Sequence, residues 1–481
     1  MTVSSSAHAE GGWQRTVSGG GGPLVLLTVS ALLLFFDFGA RVLATNDETR
    51  FPMLARDILA NGNWALPQIG GVPHLNKPPL YAWLVALAAW PGGEVTQSSA
   101  LWPSLLAGIG VILATSWIGW RLWSRAVGLT AGFIVLTMHG VFTLARAPMP
   151  DMMLSFVLTA AIAAFVAAEF DGRRIGLALF YVLLGVGFWT KGPAALMGIV
   201  IVVAFTVRTA GWRGLSRLAL PTGLLLVGAM VAPWVVLGAV VGGEQFVQDI
   251  VLTDWLWWYL PVGQWGWRLI TEPIGQTLAI LLPWSPLLPF AVVSALRTTD
   301  QTVARKVTLL LVWAGVVFLL IGVSEQQRMR YYLPLCPPIA VLIALWSHRL
   351  TVRRRQVLGL ALAALVVVGL VAWQLADNAR HNARTDLRAL AASAVRVDTP
   401  IYAVEVPELV LAFYLGRPAV VVLSPLAASG ADGPALPPGY LAVADRVLAQ
   451  ALDHRPVEKI ATGMVNGRPF SVLQPASPAR R

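Results

Sequence analysis

The chain has 481 residues, 57% of them hydrophobic and only 12% charged, which is too apolar and too sparsely charged for a soluble protein of this length. Its formal charge of +11 would fit a nucleic-acid binder in a soluble chain, but the arginines fall in short loops between apolar segments, where orienting a membrane protein accounts for them. The single cysteine, Cys336, excludes an intrachain disulfide and a cysteine-based metal site.

Residues 1–22 are Ser/Gly-rich and polar and read as a disordered cytoplasmic tail, with no cleavage site of the secretory kind behind the first apolar segment. Apolar segments able to cross roughly 30 Å of hydrocarbon follow near 24–43, 100–120, 126–145, 152–168, 175–190, 193–207, 218–240, 274–296, 307–323, 331–346 and 356–375. These eleven predict an all-α polytopic membrane domain over residues 23–375. A twelfth run, 79–90 within "VPHLNKPPLYAWLVALAAWPGG", is only about 18 Å long as a helix.

Positive-inside bias decides how that run sits. If it does not cross, the loops with Arg121 and Arg125, Arg173 and Arg174, Arg208, Arg213 and Arg217, Arg297, Arg305 and Lys306, and Arg349 with Arg353 to Arg355 share one face, which is then cytoplasmic. If it crosses, the basic clusters after it are exported against the rule. The run is therefore expected to be an interfacial helix started by Pro78 and Pro79.

The same parity places residues 44–99, 146–151, 191–192, 241–273 and 324–330, and everything after about 376, on the outer side. Residues 376–481 change character: "TPIYAVEV", "RPAVVVL", "GYLAVAD" and "RPFSVLQP" are strand-like runs between Pro/Gly turns, with helical patterns near 383–396 and 443–452. They predict a small periplasmic α/β domain. It carries no phosphate loop, ligand spacing or nucleophile elbow, so its expected role is structural or substrate-covering.

The outer loops hold the candidates for chemistry. "TNDETR" puts Asp47, Glu48 and Arg50 just outside the first span, where a carboxylate near cations can act as a general base; a charged anchor ending the span is the plainer alternative. "ARAPMPDMM" delivers Asp151 at the start of the fourth span, where favourable interaction with the helix dipole is enough to explain an acid. Lys77, Lys191, Arg328 and Arg330 stand where spans meet the outer surface. Snorkelling accounts for one or two such cations, but their place beside Pro and Gly breaks fixes them where a lipid phosphate would lie. The Trp-rich loop with Trp255, Trp257, Trp258, Trp265 and Trp267 reads first as an interfacial aromatic belt, and second as a sugar-stacking surface or prenyl-chain access. It contains no histidine, so a zinc site is poorly supported.

In order, "NDETRFPMLARDIL", "GNWALPQIGGVPHLNKPPLYAWL", "ARAPMPDMM", "FWTKGPAAL" and "RMRYYLPLCPPIAVL" resemble the GT-C glycosyltransferases related to protein O-mannosyltransferases, most closely the bacterial aminoarabinose-type lipid A transferases. The resemblance covers about residues 24–346. It implies a GT-C fold in the bacterial cytoplasmic membrane and inverting transfer of a sugar from a polyprenyl-phosphate carrier to a periplasm-facing acceptor: lipid A, another glycolipid, a polysaccharide or a protein. By the same resemblance Asp47 is the base and Asp151 a second catalytic carboxylate. Glu48, Arg50, Lys77, Tyr81, Lys191, Arg328, Arg330 and Tyr332 bind substrate, with Lys77 on the carrier phosphate. Asn76 stands where those relatives carry a metal-binding Glu, so no cofactor or metal is expected. A lipid or sugar transporter is the rival class, but no internal repeat is visible and the charges gather outside.

Overall fold

The computed structural model describes residues 21–256, 266–324, 326–350, 352–387, 399–424, 439–448 and 457–475. The Trp-rich stretch around Trp257, Trp258 and Trp265, the tail 1–20, and the parts of the two expected helices after residues 387 and 448 lie outside them; of the helix expected over 383–396, residues 384–387 are turn and a β-bridge of Asp386 to Met464 instead. The described chain is mostly helical and forms two compact units. One comprises residues up to 36, 75–81 and 103–371; the other comprises 37–74, 82–102 and 372 onward. Most of the first outer loop, all but 75–81, thus groups with the C-terminal segment rather than with the helices, and the division near 371 falls inside the helix Val352–Ala383.

Seven helices among the described residues are long and apolar enough to cross a membrane, or eight when one bent pair counts as a span. This is a multi-pass membrane protein. The seven include Ile175–Ala210 as a single stretch of 36 residues, but the packing divides it. Phe165 lies 6.1 Å from Phe180 and 5.8 Å from Phe205, ring centre to ring centre. Those two partners would be roughly 37 Å apart on one straight helix. The helices Ile175–Lys191 and Met197–Ala210 therefore fold back on each other, and Gly192, at φ 67° and ψ −147°, followed by Pro193, makes the reversal.

Three expected spans differ from the reading above. The first helix, Gly21–Phe35, ends well before residue 43 because the chain turns at Asp37 and Gly39, both at positive φ. The segment 126–145 is broken into Arg125–Leu136 and His139–Leu144, and 274–296 is broken into Arg268–Ile280 and Ser285–Leu296, bent by 112°. Pro283 and Pro286 interrupt the second. The two breaks satisfy each other: the His139 amide donates to the Leu282 carbonyl at 2.7 Å, and Trp284 Nε1 donates to Thr137 Oγ1 at 3.0 Å. Backbone groups freed within a membrane need such partners. Gly140 is required here, since a Cβ on it would sit 2.0 Å from Ile280.

In the second unit, the helix Asn46–Asn61 packs on the short helix Glu408–Tyr414. Asn46 Oδ1 accepts the Leu409 amide, Asn46 Nδ2 donates to Glu408, and Arg56 stacks 4.3 Å over the Phe413 ring. After a small hairpin of β1 (Gln68–Ile69) and β2 (Val72–Pro73), five strands form one sheet: β3 (Ile401–Val404), β4 (Val421–Val422), β5 (Tyr440–Ala444), β6 (Val457–Val465) and β7 (Arg468–Pro475), in the order β4-β3-β5-β7-β6. The first three are parallel, the last two antiparallel. Four of the five match the strand-like runs read from the sequence. The helical pattern expected from 443 is instead the end of β5 and a single 3-10 turn, Asp445–Val447.

Candidate functional site

The helix Pro150–Asp171 carries charge at both ends. At its C-terminal end Asp171 pairs with Arg121 at 2.7 Å and Glu169 pairs with Arg305, while Lys306 donates to the Leu122 carbonyl at 2.5 Å. At its N-terminal end sits Asp151, some 18 to 20 residues away, hence roughly 27–30 Å along the axis. That matches the thickness of hydrocarbon. The basic residues of these loops thus gather at one end of the helix, and Asp151, with Lys191 and Arg330, lies at the other.

Asp151 is buried in the first helical turn after Pro150, and Lys191 is the last residue of the antiparallel helix Ile175–Lys191, so each charge suits its helix terminus. Lys191 Nζ lies 2.5 Å from Asp151 Oδ1 and 4.2 Å from the centre of the Tyr331 ring. Arg330 Nε lies 3.9 Å from the same carboxylate oxygen, its guanidinium 5.5 Å from the Tyr331 ring and 3.3 Å from Met149 Sδ. Arg328 is exposed and within electrostatic reach of Lys191. Two cations therefore flank the Asp151 carboxylate, with a third, Arg328, near Lys191.

Lys77 is half-buried ahead of the buried Pro78 and Pro79, and the predicted short helix follows as Leu80–Ala89. Its neighbours are anchored on both sides. Leu75 packs against the cluster of Trp234, Phe246, Ile250 and Phe188, the last of these lying three residues before Lys191. Tyr81, fully buried, has its hydroxyl 2.6 Å from Ser104 Oγ, which donates to the Met149 carbonyl at 3.0 Å. Tyr81 was expected to touch substrate; here it ties the segment bearing Lys77 to the start of the Asp151 helix. Trp255 stacks 6.0 Å from Trp234 and lies edge-on to Phe188 and Phe246. Trp267 is 81% exposed.

The second unit holds the "TNDETR" group. Thr45 and Glu48 form a capping box at the start of Asn46–Asn61. Glu48 is buried; one oxygen takes Arg41 at 2.6 Å, and the other accepts the Ala44 amide at 2.9 Å, the Thr45 amide and the Thr45 hydroxyl. Burial opposes its ionisation, but Arg41 and these donors outweigh it and hold the carboxyl below its ordinary value. Glu48 is thereby a loop-organising group, and the substrate contact expected of it has no spare oxygen here. Tyr414 donates nothing to that carboxylate; its hydroxyl accepts the Leu43 amide at 2.8 Å, and burial pushes it up to about 12. Asp47 stays 31% exposed, 3.3 Å from an equally exposed Arg50.

Of the two tyrosines of "RMRYY", the expected Tyr332 is not the one beside the cations. Adjacent residues of a 3-10 turn diverge by about 120°, so Tyr331 faces Lys191 and Arg330 while Tyr332 is buried and donates to Gln327 Oε1 at 2.6 Å. Ser104, Met149 and Gln327 carried no signal of their own, because their roles depend on partners far along the chain or on backbone carbonyls.

The described residues combine a mostly helical membrane part, a mixed sheet, and opposed charge clusters at the two ends of the helix Pro150–Asp171. Over residues 46–248 the sequence matches the family described as dolichyl-phosphate-mannose-protein mannosyltransferase. The undecaprenyl phosphate-alpha-4-amino-4-deoxy-L-arabinose arabinosyl transferase of Yersinia enterocolitica is 26% identical over 68% of this chain and 59% of that protein. The protein of that name from an Enterobacter strain is 25% identical over 77% of this chain and 69% of its own. The crystal structure of ArnT from Cupriavidus metallidurans bound to undecaprenyl phosphate superposes with a TM-score of 0.76 at 17% identity, covering 94% of this chain and 98% of that one. The chain thus shares the fold of that ArnT structure, and residues 46–248 of its sequence are similar to the mannosyltransferase family. It spans 59% of the length of the Yersinia relative.

Proposed function

We propose that the protein is an integral-membrane glycosyltransferase that moves a sugar from a polyprenyl-phosphate carrier to lipid A or another glycolipid at the periplasmic face of a bacterial inner membrane. One observation carries this reading: Lys191 and Arg330 on the carboxylate Asp151, with Arg328 near Lys191, at the end of the Asp151 helix remote from the basic loops. Lys191 uses that carboxylate, leaving an excess of positive charge at headgroup depth that a phosphate neutralises. The relatives' names and the undecaprenyl phosphate bound to ArnT supply the donor class. Positive-inside bias makes the basic end cytoplasmic, and eleven crossings require, beyond the eight candidates and the second leg of 175–210, that the shorter helices Gly21–Phe35 and Arg125–Leu136 also cross, with Leu80–Ala89 lying in the interface.

In this reading Lys77, Arg328 and Arg330 hold the donor phosphate, and Asp151 positions Lys191 and Arg330. The acceptor oxygen bonds to the anomeric carbon as the carbon–oxygen bond to phosphate breaks, inverting that centre. The polyprenyl phosphate departs with the bonding pair, its charge met by the cations, and Asp47 takes the acceptor's proton. Arg50 orients Asp47, and no metal takes part. The family description favours a second reading with a protein acceptor.

The test uses the purified full chain in nanodiscs, with a synthetic polyprenyl-phosphate sugar and either a lipid A or a peptide acceptor. Asp47→Asn is expected to lose at least about 10²-fold in turnover while still binding donor, Lys77→Ala to bind donor more weakly, and a chelator to leave the wild type unchanged. Unaltered turnover in the Asp47 variant removes the base, and full donor affinity without Lys77 removes the cradle. Transfer to peptide alone decides for the second reading.

A further inference from the structure

The cations of "RMRYY" sit on a segment closed by a side chain that has no part in the proposed chemistry. Gln327 Nε2 donates to three carbonyl oxygens at the end of the helix Gln301–Gly322: Ile321 at 2.9 Å, Gly322 at 3.1 Å and Ser324 at 2.8 Å. The Gly322 and Ser324 carbonyls lie at and just beyond the helix end, and the Ile321 carbonyl also accepts the Ser324 amide and hydroxyl. Its other amide atom, Oε1, accepts the hydroxyl of the fully buried Tyr332 at 2.6 Å, and the Tyr332 ring lies 6.5 Å from Phe318 on the same helix. Residues 327–332 thus form a loop tied at both ends to one helix terminus. Inside it stand Arg328, Arg330 and Tyr331, the last two reaching Asp151 and Lys191.

We infer that Gln327 is a positioning residue for the carrier phosphate: by closing this loop it fixes where Arg328 and Arg330 present their charge. The inference rests on the donor-binding reading above. Arginine side chains are long and rotamer-rich, so a freely hinged loop would order them only at the cost of binding energy, whereas a closed one has them placed beforehand. Gln327 touches no substrate; it acts through the backbone that carries the arginines.

The experiment measures undecaprenyl phosphate binding to the full chain in nanodiscs, together with donor KM, kcat and melting temperature. Gln327→Leu is expected to weaken binding about tenfold, the loss of one to two net hydrogen bonds. Donor KM should rise by a similar factor with kcat within about twofold, since the base and acceptor side are untouched. Tyr332→Phe, which keeps the ring on Phe318, should give a comparable loss, and the double variant no more than the worse single, because both open the same closure. Binding by Gln327→Leu within twofold of wild type overturns the inference, as does full additivity in the double variant. Should Gln327→Leu not fold, Tyr332→Phe and its KM-against-kcat split decide alone. If the wild type itself fails to bind undecaprenyl phosphate, the donor reading falls first, an outcome distinct from binding that the variants leave unchanged.

Discussion

Replacing Asp151 separates an anchor from a catalytic carboxylate. The side chain is 5% exposed, Lys191 16%, and their charged atoms are 2.5 Å apart. At an effective dielectric constant near 20 the attraction is about 6–7 kcal/mol, against several kcal/mol per ion of desolvation. The pair by itself contributes little beyond a matched apolar pair, but Asp151→Asn leaves Lys191 and Arg330 buried without their counter-charge, a loss of about 3–5 kcal/mol. A loss of that size should lower the melting temperature of the detergent-solubilised protein by several degrees, read by fluorescence-detected size exclusion after heating. Adding Lys191→Met should recover most of the loss, since the remaining partners are then closer to neutral. An Asp151→Asn protein that melts like wild type yet does not turn over would refute the anchor and restore a direct chemical role. So would a double variant that loses the sum of the two singles.

Glu48 should make stability depend on acid. Its folded value is depressed, so its contribution is complete above the ordinary value of 4.5 and is lost as pH falls from there through the folded value; a melting series from pH 7 downward should show the drop, and Glu48→Gln should flatten it while costing about 1–3 kcal/mol at neutral pH. Tyr81→Phe removes the tie to Ser104 and should weaken undecaprenyl phosphate binding about two- to fivefold with the fold retained; an equal affinity would show that Lys77 needs no such tether.

Much of this arrangement was legible in the sequence because it is set by local chemistry. Apolar length gives the spans, Pro78 and Pro79 start a short helix, Gly192 and Pro193 allow the reversal after Lys191, and Pro150 with Asp151 marks a helix start. The spacing of basic loops separated the two ends of the helices before any coordinates. Those features depend on residues near one another in the chain, or on the average medium each segment must tolerate.

What only the tertiary structure decided depends on which partner each group finds. Pro283 and Pro286 announce a break, but only packing shows that its freed groups are met by Thr137 and His139. A carboxylate in "TNDETR" is equally a base or a cap until Arg41 and the Ala44 amide take up Glu48 and leave Asp47 partly in solvent. Tyr331 and Tyr332 are the same residue type side by side, and a turn of the backbone sends one to the cations and the other to Gln327. The sequence determines which groups can carry charge or donate hydrogen bonds; the cost of leaving any of them unpaired in a dry interior determines where each one ends.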